Sequence, residues 1–332
     1  MKNFNTFFTM LIGVCALNYS VSGITIKTSY VSNVNNDDDG NASDAYGGVD
    51  YNYYIGTYEV TNTQYTAFLN AKGASNAHDL WNPRMNEYKH QGGIERSGTA
   101  GSYTYSVKVG MGNKPVNNVN FWDAARFVNW LTNGKGDGDT ETGMYNTLNG
   151  VLYPDNRTVT REQSAWTAGG VAIANHDEWY KAAYYDPDKN DGSGGYWLYA
   201  NRSDSIDVDY ANYKGSVNEL RDVGSYETVD SFYGTFDQSG NVWEWIEDDQ
   251  VRDLDNPSHE NRRVVRGGGY LDQQITLRAS SRYDTSAHGD NNGRGFRVTS
   301  LNPIPEPSAY SGILGGLALA IAIVRRKGGR IL

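Results

Sequence analysis

Residues 237 to 248 read Asp-Gln-Ser-Gly-Asn-Val-Trp-Glu-Trp-Ile-Glu-Asp, a run that joins carboxylates and two tryptophans around a glycine. Three kinds of chemistry are open to it: a clamp for a hard cation, a ligand platform, or a well-packed turn. Calcium takes about 6–8 oxygens, from carboxylates mixed with carbonyls on a flexible turn, and Gly240 permits the sharp bend such a turn needs. Trp243 and Trp245 are two apart, so a strand here sends both indoles to one face, where they can anchor the loop.

Other candidate groups are more scattered. Arg266, Arg278, Arg282, Arg294 and Arg297 accumulate in the last third of the chain. Guanidinium forks suit carboxylates and sulfates, so Arg278, Arg282 and Arg294 are expected to line a ligand cleft, unless they merely pair with surface aspartates. The histidines His78, His90, His176, His259 and His288 form no two-histidine helix motif and read as solvated or capping residues. Residues 186–195 alternate Asp and Asn like a calcium loop, but Pro187 interrupts the start and Trp197 stands where the closing acid belongs, so they read as a turn. No phosphate-binding Gly-Lys-Ser/Thr loop, nucleophile elbow or dinucleotide fingerprint is present.

Composition narrows the classes further. The chain has 332 residues, a net charge of −10 and a pI near 5.0. No basic stripe exists to neutralise phosphates, which argues against nucleic-acid binding. Hydrophobic residues are only 38%, but 25 tyrosines and 8 tryptophans can build a core. The single cysteine is Cys15, inside an N-terminal apolar run. The body therefore holds no disulfide, no thiolate metal site and no cysteine nucleophile.

The positioning elements can be read from periodicity and caps. Tyr51 to Val60 is β-rich and ends at Thr61-Asn-Thr-Gln64, a capping box that opens a helix over about 62–71, stopped by Gly73. Asn120 caps a second helix, with Asp123 in its first turn and Phe121, Ala124, Ala125, Val128 and Leu131 as the buried face; Gly134 ends it. Asn175 caps a third, with Glu178 three residues on and Pro187 as the stop. Short strands are expected at 103–109, 196–200, 242–246, 263–267 and 295–299. No repeat of fixed period occurs. The fold class is α+β, with few helices, short strands and much irregular backbone.

Both ends read as addresses. Residues 1–23 have the layout of a secretory signal peptide, and residues 24–44 read as a turn-rich linker. Val14 before Cys15 does not fit a lipoprotein cleavage box. At the other end, Pro305-Glu306-Pro307 precedes an apolar segment over 311–324 and then Arg325-Arg326-Lys327. The segment is short of the roughly 20 residues of a membrane span, and its cationic end should stay cytoplasmic. Residues 301–332 resemble a PEP-CTERM sorting signal. That resemblance implies export, handling by an exosortase, transient membrane association, and an extracellular or cell-surface location.

Six stretches, in order, carry a second resemblance: YIGTYEVTNTQYTAFLNA (54–71), PVNNVNFWDAARFVNWL (115–131), HDEWYKAAYYDP (176–187), GSYETVDSFYGTFDQSGNVWEW (224–245), VVRGGGY (264–270) and NNGRGFRV (291–298). Together they resemble the formylglycine-generating enzyme, or sulfatase-modifying factor, domain, spanning about 45–300. The resemblance implies a C-type-lectin-like fold with bound calcium. The family's oxidase uses two cysteines to bind copper. Here no cysteine occurs and Ala279 stands near the place of the second, which argues against copper and the oxidase reaction. The usual arginine-leucine-proline-threonine lead-in to the third helix is replaced by VAIANHDE. Carried over position by position, the resemblance implies a calcium site from the carboxylates of Asp237 and Glu244 and the carbonyls of Gly240 and Val242. A second would begin at Asn212 and the Tyr213 carbonyl, although its other half, up to Gly224, aligns poorly. The expected protein is an exported, calcium-stabilised, non-oxidase binding module for an exopolysaccharide or peptide. The alternative is a formylglycine-generating oxidase or another metal-dependent oxidoreductase acting on exported proteins.

Overall fold

The computed structural model describes residues 24–40, 45–87, 92–146, 148, 159–249 and 262–304. The signal-peptide and sorting-signal readings, along with His90 and His259, lie outside the described residues. The segment expected as a linker supplies strand β1 (Thr28–Val31), antiparallel to β2 (Tyr53–Gly56). Helix α1 (Asn62–Lys72) starts where its capping box was written. Gln64 N donates to Thr61 Oγ1, and Thr61 N donates back to Gln64 Oε1. A short α2 (Arg84–Glu87) precedes the hairpin of β3 (Ile94–Ser97) and β4 (Thr104–Val107).

Helix α3 (Phe121–Thr132) is capped reciprocally by Asn120 and Asp123. It is buried on nearly every side, so it forms the axis of the core rather than its edge. Phe127 meets Phe68 of α1 edge-on at 5.5 Å and Phe296 at 5.4 Å. After α4 (Gln163–Thr167) and β5 (Val171–Ile173) comes α5 (His176–Tyr184), with Asn175 and Glu178 as its capping box. A two-residue ladder joins β6 (Tyr185–Asp186) to β7 (Gly195–Tyr196), and the turn between them holds Asn190 and Asp191 at positive φ. The strand expected over 196–200 is shorter than its apolar pattern. Trp197 N bonds to Tyr184 O, and Tyr199 bridges Ser203, so the chain turns back at once.

The remaining strands are β8 (Trp243–Asp249), β9 (Arg262–Arg266), β10 (Tyr283–Ser286), β11 (Arg294–Gly295) and β12 (Val298–Ser300). Two four-stranded sheets result, with orders β1-β2-β12-β5 and β10-β9-β8-β11. Strand β12 lies between β2 and β5, so it closes the end of the domain onto its beginning. Only Phe296 and Arg297 separate β11 in one sheet from β12 in the other. Whatever these two residues contact must therefore lie at the seam between the sheets.

Candidate functional site

Arg297 occupies that seam and is fully buried. Its Nε and Nη2 donate to Glu244 Oε2 at 2.6 Å and Oε1 at 2.7 Å, and Trp179 Nε1 donates to the same Oε2 at 2.7 Å. The guanidinium also donates to Gly56 O at 3.0 Å and Phe236 O at 2.9 Å. One ion pair thus ties β8, β2, α5 and the loop ahead of Asp237. Glu244 lies on the opposite face of β8 from Trp243 and Trp245, and that face is buried too. Trp245 is fully buried, whereas Trp243 is only partly so and donates to Asp272 at 2.6 Å.

Two more carboxylates stand beside this pair. Glu59 follows Tyr53, Ile55 and Thr57 in steps of two, and all four side chains are buried. Its Oε1 accepts from Asn241 Nδ2 at 3.1 Å, while Oε2 is buried with no hydrogen-bond partner. Burial, then the charge of Asp237, pushes its pKa well above the usual carboxylate range. Asp237 has φ 64 and accepts from Gly224 N at 2.6 Å. Its pKa is raised to about 6, chiefly by burial. Three carboxylates therefore face one guanidinium, and two of them resist ionisation.

The turn behind Asp237 is built for close approach. Gly240 has φ 116, and a Cβ there would stand 2.5 Å from Asn212 O. Gly240 N donates to Gly267 O at 2.9 Å, and Asn241 N to Asn212 O at 2.8 Å. Val242 is fully buried. Asn212 Nδ2 donates to Glu219 O and to Asn241 Oδ1, and its own Oδ1 is buried without a partner. The Tyr213 carbonyl accepts from Ser216 N in a turn.

Among the described residues, no group of three or more His, Cys, Asp or Glu side chains is placed to hold a metal ion. A calcium ion would need backbone carbonyls as well, which is its normal habit. The surplus of buried negative charge and the orphaned oxygen of Glu59 fit a divalent cation beside Asp237 and Glu59. Glu244, expected as a ligand, has both oxygens engaged by Arg297 and Trp179. Asp237 also fastens a groove of about 710 Å³, because its partner Gly224 lies in the groove wall with Tyr58, Lys27 and Glu227.

The three arginines expected in a cleft each contact a different ring. Arg278 is exposed and donates to Tyr199 Oη at 3.2 Å; Arg294 lies 5.5 Å from the Trp245 ring; Arg282 lies 5.6 Å from the Tyr46 ring. The histidine reading also changes at His176, which is buried rather than solvated. It stacks on Tyr46 at 3.8 Å and accepts from Arg266 Nε at 2.5 Å. Sequence reasoning missed Glu59, Tyr46 and the inward position of His176. A signal for Glu59 was present, since the period of two through Tyr53, Ile55 and Thr57 points it inward. Nothing local marked Tyr46, which reaches His176 only through the fold.

The family description "Sulfatase-modifying factor enzyme 1-like domain" matches residues 32–300. No curated protein sequence matches the chain. Among solved structures, Treponema denticola variable protein 1 is similar at 19% identity and TM-score 0.55, covering 86% of this chain and 98% of its own. CarF is similar at 22% identity and TM-score 0.56, covering 84% of this chain and 99% of its own. At such identities the likeness concerns the fold. Matched over the length of its described body, with the sheets and caps above in place, the chain belongs to the sulfatase-modifying factor enzyme 1-like domain family.

Proposed function

We propose that the protein is exported and acts at the cell surface as a non-oxidase binding module of this family, its ligand an exopolysaccharide or peptide. The observation that carries this reading is a family domain over residues 32–300 in a chain whose one cysteine is Cys15. Ala279, near the place of the second family cysteine, is buried in the core cluster that includes Trp179 and Tyr184, and it offers no thiolate. The family's oxidase holds copper(I) with cysteine thiolates, and the body offers no thiolate. The N-terminal signal and the PEP-CTERM-like tail support export, with exosortase as the processing partner.

Calcium would supply charge balance and a fixed shape to the loop. Asp237 and Glu59 would hold it with the carbonyls of Gly240 and Val242, while Glu244 keeps Arg297 in the seam. The second site, at Asn212 and the Tyr213 carbonyl, has the orphaned Asn212 Oδ1 in its favour.

The test is glycan and peptide arrays probed with the purified protein, with calcium and with chelator. Binding above background supports the reading, and blank arrays sink it. A parallel incubation with copper and a cysteine-containing sulfatase peptide, read by mass spectrometry, checks for conversion of the thiol to an aldehyde. Conversion would overturn the non-oxidase assignment.

A further inference from the structure

A pocket of about 420 Å³ opens on the chain that runs from β7 to β8. Its volume falls within the range of small-molecule sites, and none of its lining residues belongs to the loop at Asp237 or to the Arg297 seam. Ile206 and Val229 give it apolar surface, the Tyr210 ring stands with them, and Asn201, Ser203, Ser205 and Asp207 supply oxygens.

The loop that forms the pocket satisfies its own backbone. Tyr199 N donates to Ser203 O, Ser205 N to Ser203 Oγ, Asp209 N to Asp207 Oδ1 and Tyr210 N to Asp207 O. Asn201 Nδ2 donates to Ser205 O at 3.3 Å. Ile206 belongs to a small apolar cluster with Tyr199, Ala211, Tyr213 and Leu277, and its carbonyl accepts from Tyr213 Oη at 3.4 Å. The pocket is therefore preformed, which spares a ligand much of the cost of ordering the loop.

What the loop leaves open is side chain. Tyr210 is 49% exposed, so a ring face is available, and its hydroxyl bonds to no described residue. The cations nearby are already engaged: Lys189 with Asp204 at 3.2 Å and Arg202 with Asp186 at 3.4 Å. Asp207 and Asp209 pair with no described cation, and Asn201 Oδ1 has no donor.

This combination selects a ligand class. Unneutralised carboxylates repel an acidic ligand. A wholly apolar ligand would leave the oxygens of Asp207 and Asn201 unpaired, at the cost of buried polar groups without partners. A pyranose ring answers both demands, with C–H groups on one face for the tyrosine and hydroxyls at the edge that donate to carboxylate and amide oxygens. We propose that this pocket is a subsite for an uncharged pyranose sugar, stacked on Tyr210 and hydrogen-bonded by Asp207 and Asn201. The proposal rests on the reading of the protein as a binding module and narrows its ligand to a glycan that carries a neutral sugar.

The experiment titrates the purified protein with the methyl glycosides of glucose, galactose, mannose and N-acetylglucosamine, and in parallel with glucuronate, sorbitol and Nα-acetyl-lysine amide. NMR follows the amides of Ser203, Ser205 and Tyr210. Saturable shifts are expected with at least one neutral glycoside. None is expected with glucuronate, or with sorbitol, which has the hydroxyls but no ring face. Tyr210→Ala should weaken the response about three- to tenfold, the scale of an aromatic contact. Asp207→Asn, which keeps an oxygen for Asp209 N, should weaken it about tenfold or more, the scale of a hydrogen bond to a charged group. Both side chains are exposed, so the Tm of each variant should match the wild type. No shift with any neutral glycoside, a stronger response to glucuronate or to the lysine derivative, or an unchanged affinity in Tyr210→Ala would overturn the subsite. Binding on peptide arrays without any glycoside response would remove this subsite and leave the binding reading standing. Aldehyde formation on the cysteine peptide would sink the non-oxidase reading and leave the glycoside shifts untouched.

Discussion

Asp237→Asn separates the calcium reading from a purely structural role because its effect should change sign with the ion. Burial raises the pKa of Asp237 in the folded protein to about 6, against 3.8 for an ordinary aspartate. A raised carboxylate pKa means the folded protein binds the proton more tightly than the unfolded chain. Below the unfolded pKa both states are protonated and nothing is lost. Between roughly pH 4 and 6 stability falls as pH rises, and above 6 the full cost is present. A rise of this size corresponds to at most about 3 kcal/mol at pH 7. Asparagine removes the charge but keeps an oxygen to accept from Gly224 N, and it tolerates the positive φ at this position. In chelator at pH 7 the variant should therefore be about 1–3 kcal/mol more stable than the wild type, which is several degrees in Tm for a domain of this size. At pH 4 the gain should vanish. With calcium at about a hundredfold over its Kd, the wild type should gain about 2.7 kcal/mol and the variant far less. Urea unfolding at pH 4, 5.5 and 7, each with calcium and with EDTA, measures all of this. An Asp237→Asn variant less stable than wild type in EDTA at pH 7 would refute the charge-surplus argument. Equal calcium stabilisation of both proteins would place the ion elsewhere.

Two further substitutions probe the same architecture. Glu244→Gln leaves Arg297 buried against a neutral amide and should cost about 3–5 kcal/mol in urea unfolding, with or without calcium, because the charge left without its carboxylate is the buried guanidinium; a loss confined to calcium-containing buffer would instead make Glu244 an ion ligand. Gly240→Ala puts a Cβ 2.5 Å from Asn212 O at φ 116, so it should lower stability by about 1–3 kcal/mol, and an unchanged Tm would show the turn to be less constrained than its geometry.

Much of the local structure was legible because it is written locally. Thr61 with Gln64, Asn120 with Asp123 and Asn175 with Glu178 each announce a helix start within four residues, and each forms the reciprocal bonds expected. Strand β1 was not legible, since it leads straight into an Asn-, Asp- and Ser-rich run and only pairing with β2 makes it a strand. Glu244 could be picked out by type but not by partner. Its nearness to Arg297 is set by the two-residue crossing from β11 to β12, 53 positions away along the chain. Likewise the inward turn of His176 depends on Tyr46 and Arg266, which lie 130 and 90 residues away by number.

These long-range pairings bear on what the loop at Asp237 can do. A loop that must both pin two sheets and hold an ion faces competing demands on its carboxylates. Here the demands are divided: Glu244 answers Arg297 from within the seam, while Asp237 and Glu59 are left with more negative charge than the protein neutralises. A cation-free loop can hold this arrangement only by keeping a proton there, as the raised pKa values of both acids indicate. Exchanging that proton for calcium would leave the Glu244–Arg297 pair untouched and tighten Asp237, hence Gly224 and the groove wall it belongs to. The seam therefore gives the fold its rigidity, and the ion would govern the groove wall beside it, a division of roles in which chelation loosens that wall before it melts the domain. Hydrogen exchange at Gly224 and Ser225, rising in EDTA while the amides of β8 and β12 stay protected, is the expected pattern. Uniform loss of protection across both sheets would mean that the ion and the seam are a single unit.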